Sequence, residues 1–286
     1  MSDEAGGELA GASARRRGST FTSTLSINGF ALCDQLSLQP LSQVMGSSIY
    51  QMGYQGAWGQ PISDGSLGGA TFMVELDTLS EALNEVRSRA LARLAEEALA
   101  VGGDAVVGVT TRAGEIALET GSVSLEHTVL GTAVRREGPR AHQPVLTELS
   151  VADFAKLVQA GFEPLGIVAW SSVFFAGFAF GQGLGGGMIG ASVRQTYELG
   201  DFTQAFYAAR ERTMARLGEQ ATALGASGVV GVDVSHAARA HSLPGAIGGG
   251  GTRSGLMVTF NAIGTAIRQL ASPALRAPRT TIDLTS

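Results

Sequence analysis

Apolar positions recur at steps of three and four along two long stretches of the chain. In the first, Leu79, Leu83, Val86, Ala90, Leu94, Ala98 and Val101 fall on one side of a helical cylinder, the spacing of an amphipathic α-helix. In the second, Phe202, Phe206, Ala209, Thr213, Leu217, Ala221 and Leu224 do the same. The opposite sides carry Arg87, Arg89, Arg93 and Glu96, and Arg210, Arg212, Arg216 and Glu219, which predicts solvent-facing charge. Thr78-x-x-Glu81 reads as a capping box and Asp201-x-x-Gln204 as its weaker counterpart. Gly102 and Gly225 stand where a left-handed C-cap is wanted.

Both helices feed into β-branched runs, Ala105 to Thr111 and Gly228 to Ser235, which read as strands. A further strand closes each half, Ser122 to Arg135 and Leu256 to Arg268, and one precedes each helix, Ser48 to Tyr54 and Leu165 to Phe175. Upstream, Leu149 to Gly161 reads as a short amphipathic helix with Phe154, Leu157 and Val158 inward. The stretch LSINGFALCDQL is its degraded partner.

The order strand, helix, strand, strand therefore occurs twice, and the residues repeat with it. VGGDAVVGV (Val101 to Val109) returns as LGASGVVGV (Leu224 to Val232). Leu25, Ser26, Ile27, Phe30 and Ala31 meet Leu149, Ser150, Val151, Phe154 and Ala155 at an offset of 124 (150 − 26). The offset is 123 at the VVGV pair (229 − 106) and 133 where GTAV at Gly131 meets GTAI at Gly264. The gain of ten falls at the Gly-rich SLPGAIGGGG, which predicts a flexible loop. A persistent offset means a duplicated unit. The predicted organisation is an arm over 1–21, one copy over 22–137, a Pro-containing linker over 138–145, a second copy over 146–270, and a tail over 271–286. The arm, with its Arg15-Arg16-Arg17 run, and the tail are expected to be disordered.

A small strand–helix–strand–strand layer leaves sheet edges and one face uncovered. The composition agrees with cover by association: charged residues make up only 16%, and there are 40 glycines. A net charge of −5 argues against a general nucleic-acid binder, which needs a clustered positive field. The lone Cys33 excludes an intramolecular disulfide and fits a reducing, cytoplasmic setting.

The motifs LGA-x-x-VVGV (Leu224 to Val232, with Gly102 to Val109 in the first copy) and GTA (Gly264 to Ala266, Gly131 to Ala133) flank one helix in each half. In this the chain resembles the YbjQ family, whose description is heavy-metal binding. The resemblance implies an α+β fold of dodecin-like β-α-β-β units, here two in tandem, assembling as a homo-oligomeric ring of five chains. It also implies a divalent heavy metal as a ligand.

The chain's own residues give that metal little support. Thiophilic metals want clustered thiolate or imidazole, and no CxxC, HxxH or HExxH spacing occurs. The nearest constellation is Asp233, His236 and His241, yet strand alternation puts Asp233 and His236 on opposite faces unless a turn intervenes. No G-x-S-x-G elbow occurs, and Gly181 to Gly187 (GQGLGGG) lacks both the GK[ST] of a phosphate loop and dinucleotide spacing. The expectation is thus a non-enzymatic, cytoplasmic binding or scaffold protein with no cofactor, and metal or small-ligand binding between subunits as the alternative. Residues 165–193 carry no charge and are long enough to span a bilayer. Dense glycine and the polar, Pro61-containing counterpart in the first copy favour instead a buried strand and an apolar loop between subunits. Peripheral membrane contact through Trp170, Phe174, Phe175, Phe178 and Phe180 is the remaining possibility.

Overall fold

The computed structural model describes residues 22–51, 71–117, 123–136, 138, 142–178, 200–244 and 252–270. The elements run α1 (Ile27–Gln35), β1 (Leu38–Gln51), β2 (Thr71–Glu75), α2 (Asp77–Ala100), β3 (Ala105–Ala117), β4 (Val123–Arg136), β5 (Val145–Leu146), α3 (Val151–Gln159), β6 (Phe162–Phe178), α4 (Gly200–Ala223), β7 (Gly228–Pro244) and β8 (Thr252–Gln269). They form two four-stranded sheets, ordered β1-β4-β3-β5 and β2-β6-β8-β7. The fold is α+β with two repeated units, as the duplication requires.

The two sheets match strand for strand at β1/β6, β4/β8 and β3/β7, all antiparallel. Their outermost strands are exchanged. β2, which leads into the first long helix, pairs with β6 of the second sheet, Val74 opposite Phe175. β5, in the joint between copies, pairs in parallel with β3 of the first, Ala105 opposite Val145. The predicted linker thus ends in structure, because its backbone completes an edge that would otherwise leave polar groups unpaired.

The repeated VVGV and GTA motifs are one packing device. In each copy the ladder slips at the VVGV glycine, between Val107 and Thr110 and between Val230 and Asp233. Gly108 and Gly231 there have φ of +61° and +64°, the left-handed conformation of a glycine bulge. The glycine of GTA lies beneath that bulge. A Cβ on Gly131 would stand 2.5 Å from Val106 Cγ1, and one on Gly264 would stand 2.9 Å from Val229 Cγ1.

Several sequence expectations are corrected. The strands are longer than predicted: β1 begins at Leu38 rather than Ser48, and β7 runs to Pro244, because side-chain alternation continues past the β-branched runs. The degraded segment is a true helix, α1, capped by Ser26 accepting from Gly29 N at 3.1 Å. Thr78 is no cap: α2 starts at Asp77 after Leu76, with no side-chain cap bond. Asp201 likewise lies inside α4. Both long helices do close through left-handed Gly102 (φ +79°) and Gly225 (φ +69°). In α3 Phe154 is buried but Val158 is exposed, since Val151 and Ala155 form the inward stripe. The arm, the tail, residues 181–193 and the glycines beyond Pro244 lie outside the described residues.

Gly131→Ala should lower stability by about 1–3 kcal/mol, the usual cost of forcing a methyl into a packed interior. Gly264→Ala should cost less, its nearest neighbour being farther away. Urea titration of the two variants against the parent checks both magnitude and order.

Candidate functional site

The helix α2 is the keystone between the two sheets. Ala90, Leu94 and Ala98 pack on Val44, Val129 and Ala133 of its own sheet. Its first turns also meet the second sheet, where Leu76, Leu79 and Ala82 join Val173, Phe175 and Met257 in one cluster. A helix clamped on two sides cannot keep one face for solvent. Arg87, expected outside, is therefore buried.

Its burial is compensated by hydrogen bonds. Arg87 Nη2 donates to Ser171 Oγ on β6, and Nη1 donates to Asn84 Oδ1 at 3.0 Å. Asn84 Oδ1 accepts Ser171 N–H at 2.9 Å, and Asn84 Nδ2 donates to Ser171 O at 2.9 Å. Ser171 Oγ donates to Asn261 Oδ1 on β8 at 2.5 Å. Ser80 Oγ accepts Val173 N–H at 2.9 Å. A buried charge is tolerated when its protons are satisfied in this way.

Beside this polar spine lies a cleft of about 420 Å³ between the sheets, lined by Leu79 and Arg87 of α2, His127 of β4, Asp233 and Arg239 of β7, and Met257 of β8. Its electrostatics are set by burial. Desolvation and the Arg87 charge push His127 down to about 4, so its imidazole is neutral near pH 7. Desolvation and the like charge of Asp233 raise Glu148 to about 7 against the opposing pull of Arg87. Desolvation brings Arg87 down to about 10, countered by Glu148. His127 Nε2 and Glu148 Oε2 are buried with no hydrogen-bond partner among the described residues. The lining can hold a small polar or anionic molecule.

The sequence-predicted metal residues do not converge. Asp233 lines the cleft. His236 stands edge-on to Phe206 of α4, centroids 5.5 Å apart, on the other face of β7. His241 is farther along the strand, opposite Gly255. The described residues contain no group of three or more His, Cys, Asp or Glu able to hold a metal ion. Cys33 is buried in an apolar cluster and its thiol pKa is raised, the reverse of what a thiolate ligand needs. A single described chain therefore does not fit a heavy metal.

The expected buried strand is present as β6, and the alternative of membrane contact fails at two of its residues. Phe174 and Phe175 are buried within the chain, one against Phe202 and Ala205 of α4 and the other in the α2 cluster. They cannot meet lipid. Trp170 is half-buried beneath the Arg216 guanidinium, 5.4 Å from its ring. Phe178 ends β6, opposite Thr71, and Phe180 lies outside the described residues. No described helix is long and apolar enough to cross a membrane.

The arrangement defines a fused pair of β-α-β-β modules that close each other's edges, with polar groups gathered at the junction. The chain belongs to the YbjQ family: the family profile, described as "Putative heavy-metal-binding", matches residues 62–137 and 180–269, one copy in each half. A Mycobacterium tuberculosis protein named as an encapsulin nanocompartment protein is 35% identical over 223 residues, covering 74% of this chain and 77% of its own length. No solved structure matches the chain.

The junction's pH response has a definite sign. The fold raises Glu148 from 4.5 to about 7, so its contribution is fully present below the ordinary glutamate range and is lost as pH rises through about 7. Glu148→Gln should therefore melt above the parent at pH 8.5 and level with it at pH 5, as read by thermal denaturation across that range.

Proposed function

We propose that the protein is a non-enzymatic scaffold or binding protein that works as a cytoplasmic homo-oligomeric ring of five chains, with the inter-sheet cleft available to a small ligand. The supporting observation is unequal burial of identical sequence. In the VVGV of the first copy, bound along its edge by the joint, Val109 is 3% exposed, whereas Val232 in the same place of the second is 38% exposed. Exposed apolar strands of this kind mark association surfaces. The relative named for a nanocompartment agrees with assembly.

Native mass spectrometry of the full chain should give a discrete oligomer at five times the chain mass of 29.4 kDa. A monomer across micromolar concentrations would refute the proposal. Elemental analysis of the same sample addresses the alternative: stoichiometric zinc, copper or nickel would shift the reading to a metal site completed between subunits.

A further inference from the structure

One docking event inside the chain is fully visible. The segment from Val145 to Leu149 lies along the outer edge of β3. Val145 N–H donates to Asp104 O at 3.1 Å, Thr147 N–H to Val106 O at 2.9 Å, Val109 N–H to Thr147 O at 3.0 Å, and Gly108 N–H to Leu149 O at 3.0 Å. The helix that follows, α3, then lays Val151 and Phe154 on Ala105, Val107 and Val134. Val107 is 0% exposed in this cluster, while Val106 and Val109, 0% and 3% exposed, are buried under α2, where Leu146 of the docked segment also packs.

Both halves of that contact have a counterpart elsewhere in the chain, and both counterparts keep exposed apolar residues. The counterpart of the β3 edge is the β7 edge. There Val229, Gly231 and Val232 occupy the places of Val106, Gly108 and Val109 with the same glycine bulge, φ +64°. β7 is the outermost strand of its sheet, no backbone hydrogen bond among the described residues reaches its outer edge, and Val232 is 38% exposed. The counterpart of the docking segment is Thr22 to Leu25 followed by α1. Ile27 and Phe30 take the places of Val151 and Phe154, which are 2% and 6% exposed, yet they are 90% and 47% exposed themselves. The segment is already poised at its own sheet, because Ser23 Oγ and Thr132 Oγ1 are 3.2 Å apart, as Thr147 Oγ1 and Thr265 Oγ1 are 3.0 Å apart in the second copy. A single chain cannot join these two surfaces in the same geometry, since its α1 lies against α3 and the first sheet.

We infer that Thr22 to Leu25 and α1 of one chain dock on the β7 edge of a second copy, reproducing between chains the contact that Val145 to Leu149 and α3 make on β3 within one. The inference rests on the assembly proposed above and names the surface that builds it. The occupant is fixed by self-likeness: the segment that fits a VVGV edge is one already seen on such an edge. Strand addition supplies the backbone bonds, and Ile27 and Phe30 supply the apolar burial. The contact is heterologous, donor at one end and acceptor at the other, so successive copies add head to tail and close when the rotation permits. A third surface agrees in direction. Ile49, 62% exposed on the open face of the first sheet, takes the place of Val173, 0% exposed under α2. A neighbour's α4 would cover it as α2 covers Val173.

Two full-length variants test this. Ile27→Asp with Phe30→Asp disables the donor, and Val230→Asp, at the place of buried Val107, disables the acceptor. Each alone should run as a folded monomer by native mass spectrometry, with circular dichroism matching the parent. Mixed in equal amounts they should form a 1:1 heterodimer and nothing larger, because one sound donor meets one sound acceptor. Folded variants that keep the parent's oligomer would overturn this inference while leaving the assembly proposal standing; a monomeric parent would overturn both. Monomers that fail to pair on mixing would also overturn it, since a symmetric interface would then be the one disrupted. A disulfide-competent pair, Thr24→Cys with Val232→Cys, gives an independent reading: head-to-tail docking predicts covalent chain-to-chain ladders under mild oxidation, and only uncrosslinked chain contradicts it.

Discussion

The structure depends on one constraint: a four-stranded sheet here has two apolar faces and only one long helix of its own. The second sheet shows the consequence most fully. Phe174, Val258 and Phe260 face α4, while Val173, Phe175 and Met257 face α2 of the other copy. Each face buries enough apolar area to need a cover, and a single amphipathic helix covers one. Strand edges obey the same arithmetic, since β2 completes the second sheet and β5 completes the first. The copies are thus not two domains beside each other but two halves of a shared interior, and that sharing places Arg87 where it is.

The duplication, both long helices and the order of strands were legible because they rest on periodicity and on motifs with steric causes. Gly108 and Gly131 are read in sequence as part of VVGV and GTA; in space they are a left-handed bulge and the bare backbone beneath it. The polar junction was not legible. An arginine opposite an apolar stripe reads as solvated, and Arg87 gives the same signal whether its face meets water or a second sheet. Ser171 and Asn261 were equally silent, being ordinary polar residues on strands. The one available hint was Ser171-Ser172 in the uncharged stretch 165–193, because hydroxyls in a buried strand need partners. That the aromatic stretch is a buried strand was legible from its polar counterpart, but not which helix covers Phe174 and which covers Phe175.

The copies have diverged where their surroundings differ. Glu148 feels the charge of Asp233, and Asp233 and His127 line one cleft inside the chain, while the residues in their places elsewhere are Thr24, Thr110 and Phe260, none of them ionisable near neutral pH. The ionisable cleft therefore occurs once per chain rather than once per repeat. A ligand site built on it would follow the number of chains rather than the number of repeats.

Covalent linkage explains why the buried charges sit at that junction and the bare apolar groups elsewhere. Joining two modules in one chain holds the second at a high effective concentration, so the junction forms without needing a large apolar surplus. It can then carry costly groups such as Arg87 and an unpartnered His127 Nε2. A contact between separate chains has no such help and must overcome the loss of translational and rotational freedom. The surfaces left open match that demand: Ile27, Phe30, Met45, Ile49 and Tyr207 are large, apolar and exposed. Tyr207 stands in the place of Asn84, and Ile49 in that of Val173. Fusion has let the internal junction become polar and specific while the exposed positions stay apolar.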